Sequence, residues 1–451
     1  MLISTSNIAY KPNIVFILLA VVVNILLCVL VISSIPKFSI VILLGYILLL
    51  FLFVLYSNHI QNIAVFLVIL SFVPLVYLNN AFHYLFGYEL VTSLSLTLLF
   101  VFFVFHKISS ADDITINITY IQKPILFTAL YFTFLAIWDI TNNPDKKWLA
   151  EQLYHIYLYL AIFPFVYFLT KRRHYHTIFL ALLIISVFIA LEYIVLNLFL
   201  VDYRFVTFQS GFLPIVVGVL FSYVLFGKKH KNRIISLALV FVVSLGAFVT
   251  LTRTVWVTTL LVFLFTWLFY LKALNKLRWQ KLVFILLITS VPIVFVGDIS
   301  KKAAPDPNQT LKYRAQSVVT PLEDSSFLMR VEFAYYATQR FLESPIIGKG
   351  LGDFLKYKIF FTSNTANYYL DNSWLYFLWK SGIIGFLLFV WIYVRFFKTA
   401  YYVLKHTENF KVKVIITGLL AGILGLMFLA FLSPLLIKYR TNIVFPLIFA
   451  Y

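Results

Sequence analysis

The sequence predicts an all-α polytopic membrane protein of about 12–14 transmembrane helices with one large extracytoplasmic loop, and three observations predict it. Of the 451 residues, 62% are hydrophobic and 12% charged, with a mean hydropathy of +0.96; soluble domains carry roughly 25% charged residues. Apolar runs of about 20 residues, long enough to cross a ~30 Å hydrocarbon core, recur along the chain. A β-barrel would instead show alternating segments of ~10 residues. Finally, Asp298 to Trp374 interrupts the pattern: its 77 residues hold 8 of the 17 acidic and 9 of the 36 basic side chains.

In order, the apolar runs predict spans at 13–34, 39–57, 62–78, 91–106, 124–140, 152–170, 177–198, 211–227, 234–251, 254–271 and 282–297. These eleven make up residues 1–297, the polar loop occupies 298–374, and residues 375–451 return to the membrane with spans at 375–396 and 414–436. Asn442 to Tyr451 is too short for a crossing and reads as a truncated or re-entrant segment.

The formal net charge of +19 follows topology. With the N-terminus inside, eighteen Lys and Arg residues flank the inward loops, among them Lys171, Arg172, Arg173, Lys228, Lys229, Lys231 and Arg233. Seven lie in the short outward loops: Lys37, Lys146, Lys147, Arg204, Arg253, Lys438 and Arg440. This positive-inside bias sets the large loop outside the cytoplasm. Basic turns facing anionic lipid account for the excess, so no nucleic-acid partner is expected. Cys28, the single cysteine, lies in the first span and excludes a disulfide within the chain or a cysteine metal site. That span is too long for a cleaved signal.

Charges in apolar surroundings are costly and face cavities or interfaces. Arg253, in LTRTVWV, falls in the tight outer turn between the ninth and tenth spans, and Arg204 lies in the outer loop VDYRFVTFQSG. A guanidinium matches phosphate oxygens with its planar fork; the competing explanation is snorkelling to lipid headgroups. Glu192, inside the seventh span, reads as a structural polar contact.

Within the loop, Asp324, Ser325 and Ser326 can cap a helix in which Phe327, Leu328, Val331, Ala334, Tyr335, Thr338, Phe341 and Leu342 recur at helical spacing. Pro345 ends it, and Arg330 and Arg340 are among its polar positions. The apolar stripe should pack on the tops of the spans or on the lipid interface. In PIIGKGLGDF, Gly348, Gly350 and Gly352 permit a tight turn, either for packing or for substrate contact. No strand precedes them, which removes a dinucleotide fold. Asp371, in YYLDNSW, is either the N-cap of the next span or a general base at the mouth of the membrane helices, with Arg330 available from the same loop.

At these residues the chain resembles the O-antigen ligase and Wzy-type polysaccharide polymerase superfamily. The resemblance covers Arg204 to about Trp391 and rests on three blocks. They are the LTRTVW turn; Arg330 followed by Ala337, Phe341, Pro345, Gly348 and Gly350; and DNSWLYFLWKSGIIG, where Asn372, Gly382 and Gly385 match a His-Asn, nine residues, Gly-x-x-Gly pattern. Asp371 stands where the ligase branch has histidine, and none of the eight histidines lies in the loop. Asp-Asn looks more like the polymerase members.

The resemblance implies a GT-C-like fold in the bacterial inner membrane and an inverting, metal-independent glycosyl transfer on its outer face, with no cofactor. The donor would be an oligosaccharide on undecaprenyl pyrophosphate. The acceptor would be another lipid-linked repeat unit in a polymerase, or lipid A core in a ligase. Chain-length regulators or other polysaccharide assembly proteins are the implied protein partners. Arg204, Arg253 and Arg330 would bind the pyrophosphate, Asp371 would orient or deprotonate the acceptor hydroxyl, and Asn372, Gly348 and Gly350 are candidates for substrate contact. A lipid-linked oligosaccharide flippase is the rival from another class; it would distribute charged or polar residues through several spans.

Overall fold

The computed structural model describes residues 121–142, 158–168, 172–199, 213–227, 230–250, 253–274, 325–359, 362–367, 370–431 and 444–450, with Gln152, Ile156, Ser433 and Leu436. The predicted spans at 13–34, 39–57, 62–78, 91–106 and 282–297 lie outside the described residues, as does Arg204. The described helices are α1 (Gln122–Asn142), α2 (Ile162–Phe168), α3 (Arg172–Phe199), α4 (Leu213–Phe226), α5 (His230–Val249) and α6 (Arg253–Leu274). After them come α7 (Ser325–Glu343), α8 (Ser373–His406), α9 (Phe410–Leu429) and α10 (Val444–Ala450). Six of these are long and apolar enough to cross a membrane. The protein is an all-α multi-pass membrane protein whose helical plan is varied, among the described residues, by one short hairpin in the loop. That hairpin, β1 (Leu355–Ile359) with β2 (Thr362–Asn367), pairs Leu355 opposite Asn367 and brings the chain back beside its starting point.

The chain divides into two units, one of residues 1–116, 161–185 and 450–451, the other of residues 117–160 and 186–449. The second unit carries the glycine turn, the kinked helix and the helices around them. Its centre is α9, which packs against α4 and α6. Glycine makes this packing close. A Cβ on Gly218 of α4 would stand 2.8 Å from Gly418 O, one on Gly422 2.8 Å from Ile215 Cα, and one on Gly425 2.6 Å from Val262 Cγ2. In lipid, where apolar burial drives no association, small residues at such a spacing let helix backbones approach closely. A second cluster joins α8 to α10: Tyr159 and Tyr393 share a buried hydrogen bond of 2.8 Å between their hydroxyls, and Phe445 stacks on Tyr159. The described part of the C-terminal segment is the short helix α10, packed on α8.

α8 is two helices in one. Gly382 has φ 62° and ψ −168°, which only glycine adopts readily. In an unbroken helix Ile383 and Ile384 would donate to Trp379 O and Lys380 O. Instead their N–H groups donate to Pro345 O at 2.9 Å and Ile346 O at 3.3 Å. The freed carbonyls accept from the loop as well: Lys349 N donates to Trp379 O at 2.9 Å and Gly350 N to Lys380 O at 3.0 Å. Residues 345–350 thereby satisfy all four backbone groups that the kink releases.

Before the kink, Ser373, Trp374, Tyr376, Phe377, Trp379 and Lys380 are buried; after it, Ile383, Leu387 and Val394 are open. The 34 residues of α8 rise about 51 Å at 1.5 Å each, far more than a ~30 Å hydrocarbon core requires. Its outward apolar surface begins at Ile383, its first turns pack with the loop, and the helix as a whole contains the predicted span at 375–396. The predicted span at 414–436 shifts to Phe410–Leu429, and α9 gives way at Ala430.

Candidate active site

The polar groups gather where α7, the start of α8 and the end of α9 meet. Asn372 caps α8, its Oδ1 accepting from Leu375 N at 3.0 Å. The cap expected of Asp371 is thus supplied by its neighbour. Ser373 fixes this corner, its N–H donating to Ala430 O at 2.8 Å and its hydroxyl to Ser433 O at 3.0 Å. Trp374 Nε1 donates to Met427 O at 3.1 Å.

Relieved of capping, the Asp371 carboxylate turns to α7. Arg330 Nε donates to Asp371 Oδ2 at 2.8 Å, with the two side chains 32% and 40% exposed. Because Arg330 bonds through Nε alone, its Nη groups have no hydrogen-bond partner among the described residues. A half-open guanidinium beside a half-open carboxylate can bind an anion with one group and take a proton from a hydroxyl with the other.

α7 reaches this position with much of the expected stripe left open, which removes packing on the tops of the spans for those residues and leaves the lipid interface. Phe333 and Ala337 are its buried residues, while Leu328, Val331, Tyr335 and Leu342 of the predicted stripe are exposed. The inward face also carries Arg330 and Arg340, whose ion pairs tie the helix to the rest of the loop. Helical period locates a stripe; it does not say which side of the helix the protein occupies.

Beside the pair lies a buried polar network. Arg340 Nη2 donates to Asp353 Oδ1 at 2.7 Å, and Trp379 Nε1 donates to Asp353 Oδ2 at 2.7 Å. Lys380, fully buried, donates from Nζ to Leu351 O at 2.8 Å and to Asp353 O. Its ammonium lies 4.2 Å from the Trp379 ring centroid, a cation–π contact. Asp139 of α1, also buried, accepts from Gly352 N at 3.0 Å. At the rim Glu343 accepts from Lys349 at 2.7 Å and Arg340 at 3.0 Å. The Lys349 ammonium, with Arg340 beside it, holds the Glu343 carboxyl below its ordinary value of 4.5.

Gly348 and Gly350 have φ of 84° and 93°. A Cβ on Gly348 would stand 2.5 Å from Lys380 O, and one on Gly350 would collide with the Asp139 carboxylate. Their geometry serves packing of the loop into the kink. Gly382 receives that loop, and a Cβ on Gly385 would stand 2.9 Å from Tyr131 Cε1. Tyr131 in turn donates to Ser381 O at 2.9 Å and Ile347 O at 3.3 Å.

Arg253 is the first residue of α6, directly after the turn that Trp256 Nε1 fastens to Phe248 O at 2.7 Å. Gly425, near the end of α9, lies against Thr258 and Val262 of α6, so Arg253 stands at the same end of the bundle as Asp371. Glu192 sits within α3, its side chain outside the described residues. The sequence reading singles out Glu192 as the intramembrane charge and passes over Asp139 and Lys380. Lys380, alone among aromatics in LYFLWKSG, was the visible signal.

Residues 238–390 match the model of a family described as O-antigen ligase, Wzy_C. The match takes in Arg253, Arg330, the glycine turn, Asp371, Asn372 and the kink, and stops short of Arg204 and Asp139. No curated protein matches the chain. The family indicates a glycosyl-transferring enzyme of the ligase or polymerase type acting in polysaccharide assembly. The convergence of the Arg330 block and the Asn372–Gly382–Gly385 block on one kinked helix agrees with that match, and residues 238–390, about a third of the chain, are similar to the O-antigen ligase family.

Proposed function

We propose that the protein is a polymerase that joins repeat units carried on undecaprenyl pyrophosphate, working at Arg330 and Asp371 on the extracytoplasmic face of the inner membrane. The observation that carries this reading is the 2.8 Å pair at the bundle end, formed by an aspartate that its neighbour Asn372 has relieved of helix capping. The donor's pyrophosphate competes for the Arg330 guanidinium, and its arrival frees Asp371. The acceptor hydroxyl then attacks the anomeric carbon: the new C–O bond forms as the bond to the pyrophosphate oxygen breaks. The proton passes to Asp371, and the electron pair leaves on the lipid pyrophosphate. Arginine stabilises that developing charge, the kind of electrostatic contribution that usually dominates catalysis. Arg253, at the same end, is the second candidate for the pyrophosphate, and Arg204 the third; no metal or cofactor enters the scheme.

Two further observations support the assignment. Lys231, Arg233, Lys272, Lys405, Lys411 and Lys413 lie at or beyond helix ends opposite Asp371, and the positive-inside rule puts that end in the cytoplasm. Asp-Asn in place of His-Asn favours polymerase over ligase. The test is the surface glycan of a deletion strain. Single-repeat products support the polymerase; polymer stranded on the lipid carrier would assign the ligase step instead, and unaltered surface polymer would sink both.

A further inference from the structure

The outward face of α7 is apolar although the helix lies outside the spans. Leu328, Val331, Tyr335 and Leu342 repeat at helical spacing, and each is about half exposed or more. Gln339 is the one polar residue exposed within this stripe, while Arg330 and Arg340 are bonded inward to Asp371 and Asp353. This is the reverse of a helix resting on a protein in water, whose apolar side packs and whose charged side is solvated. An uncovered apolar stripe of this kind marks an interaction surface.

Its continuation identifies what covers it. Beyond Leu342 the exposed apolar surface runs on through Ile346 and Ile347. Pro345 and Ile346 are hydrogen-bonded to Ile383 and Ile384, the first exposed apolar residues of the lipid-facing part of α8. The loop isoleucines therefore stand at the same depth as residues that meet lipid. From Ile383 to Tyr402, exposed at the basic end, the helix rises about 29 Å, matching the ~30 Å hydrocarbon thickness. Ile383 thus marks one boundary of the hydrocarbon.

We infer that α7 is a monotopic helix set into the bilayer interface, with Leu328, Val331, Tyr335, Leu342 and Ile346 immersed among the acyl chains and the Arg330–Asp371 pair held at headgroup depth. The occupant of the face is the phospholipid bilayer itself. The assignment stands on exposure and continuity and does not depend on the proposed reaction.

The full-length chain, with Cys28→Ser as background, takes single cysteines at Leu328, Tyr335 and Ile346, each labelled with bimane. Leu387→Cys serves as the lipid reference and Glu408→Cys as the water reference. The proteins are reconstituted in phosphatidylethanolamine and phosphatidylglycerol vesicles containing chain-brominated phosphatidylcholine. Quenching at the three α7 positions within about twofold of Leu387, and at least threefold above Glu408, is the expected result. Quenching by aqueous iodide equal to that at Glu408 would overturn the inference, since the face would then be in water. Protection from both quenchers would overturn it too and assign the face to a protein partner. Labelling at exposed positions spares the core, and a single symmetric size-exclusion peak confirms folding for each variant.

Discussion

Arg330 and Asp371, 41 residues apart in the chain, meet through one bond of 2.8 Å from Nε to Oδ2. Half-exposed pairs of this kind contribute about 0–1 kcal/mol to stability, so whatever the pair does for turnover is separable from folding. Arg330→Ala is expected to lower chain extension by about 100-fold or more, the usual consequence of losing a preorganised charge donor. Its melting temperature should stay near wild type. Long polymer made at a wild-type rate by this variant would remove Arg330 from the site.

Asp371 and Asn372 divide two tasks that the sequence leaves open. Asp371→Asn is expected to suppress turnover while the protein melts normally. Asn372→Ala should do the reverse, costing about 1 kcal/mol through the lost cap while some activity survives. Purified variants compared by thermal melting and product gels separate the two; an Asp371→Asn protein with full activity would leave that carboxylate without a chemical role.

Gly382→Ala places a Cβ against Ile346 C at a separation no real Cβ shows and forces alanine to φ 62°. Backbone strain alone costs about 1–3 kcal/mol, and expulsion of the loop adds to it. A clear fall in melting temperature is expected, with activity lost in parallel. A protein unaffected by this substitution would contradict the observed join between loop and helix.

Lys380 is the fully buried amine of the network. Lys380→Met strips donors from Leu351 O and Asp353 O and leaves the nearby Asp139 and Asp353 charges without it. Removing one member of a buried charge cluster costs about 3–5 kcal/mol, so this variant should be among the least stable. Trp379→Phe, which loses the hydrogen bond to Asp353 Oδ2 but keeps a ring, should be milder in the same melting assay.

Glu343 supplies a pH dependence. Its carboxyl titrates below 4.5 because Lys349 and Arg340 favour the charged form. The contribution of this tether is therefore present above pH 4.5 and is lost as pH falls through the lower folded value. The group is fully exposed, so the effect is small and shrinks with salt. Melting curves of wild type and Glu343→Gln should differ slightly at neutral pH in low salt and coincide in strong acid; a gap that widened on acidification would reverse the sign.

The membrane class, α7, and the presence of Arg330 and Asp371 in one loop were legible in the sequence, because apolar run length and isolated charges survive translation into structure; their direct bond was not. The face of α7 was not. Phe333 and Ala337 pack inward while the longer stripe from Leu328 to Leu342 points out, and a periodic pattern reads alike for protein and lipid surroundings. Asp139 was hidden inside an apolar run, where one charge barely alters average hydropathy, whereas Lys380 stood out among aromatic neighbours without saying what it would bond. Gly382 was visible only as one glycine of a motif. Its four exchanged backbone bonds link residues 30 or more positions apart, and no local signal announces them. The hairpin at 355–367 was passed over: LKYKI does alternate apolar and polar residues, but its partner TSNTAN carries no apolar alternation to match it.

The exchanged bonds at the kink also impose an order of assembly. As the chain leaves the ribosome, α7 and the glycine turn are made before Trp379 and Lys380 exist to receive Lys349 and Gly350. Ser373 must wait in turn for Ala430 and Ser433, which follow a complete further crossing of the membrane. The corner bearing Asp371 is therefore closed only after α9 has been inserted. Until then the nascent protein has its loop but no finished site, and a truncation before Ala430 yields helices in the membrane with the Asp371 corner still open.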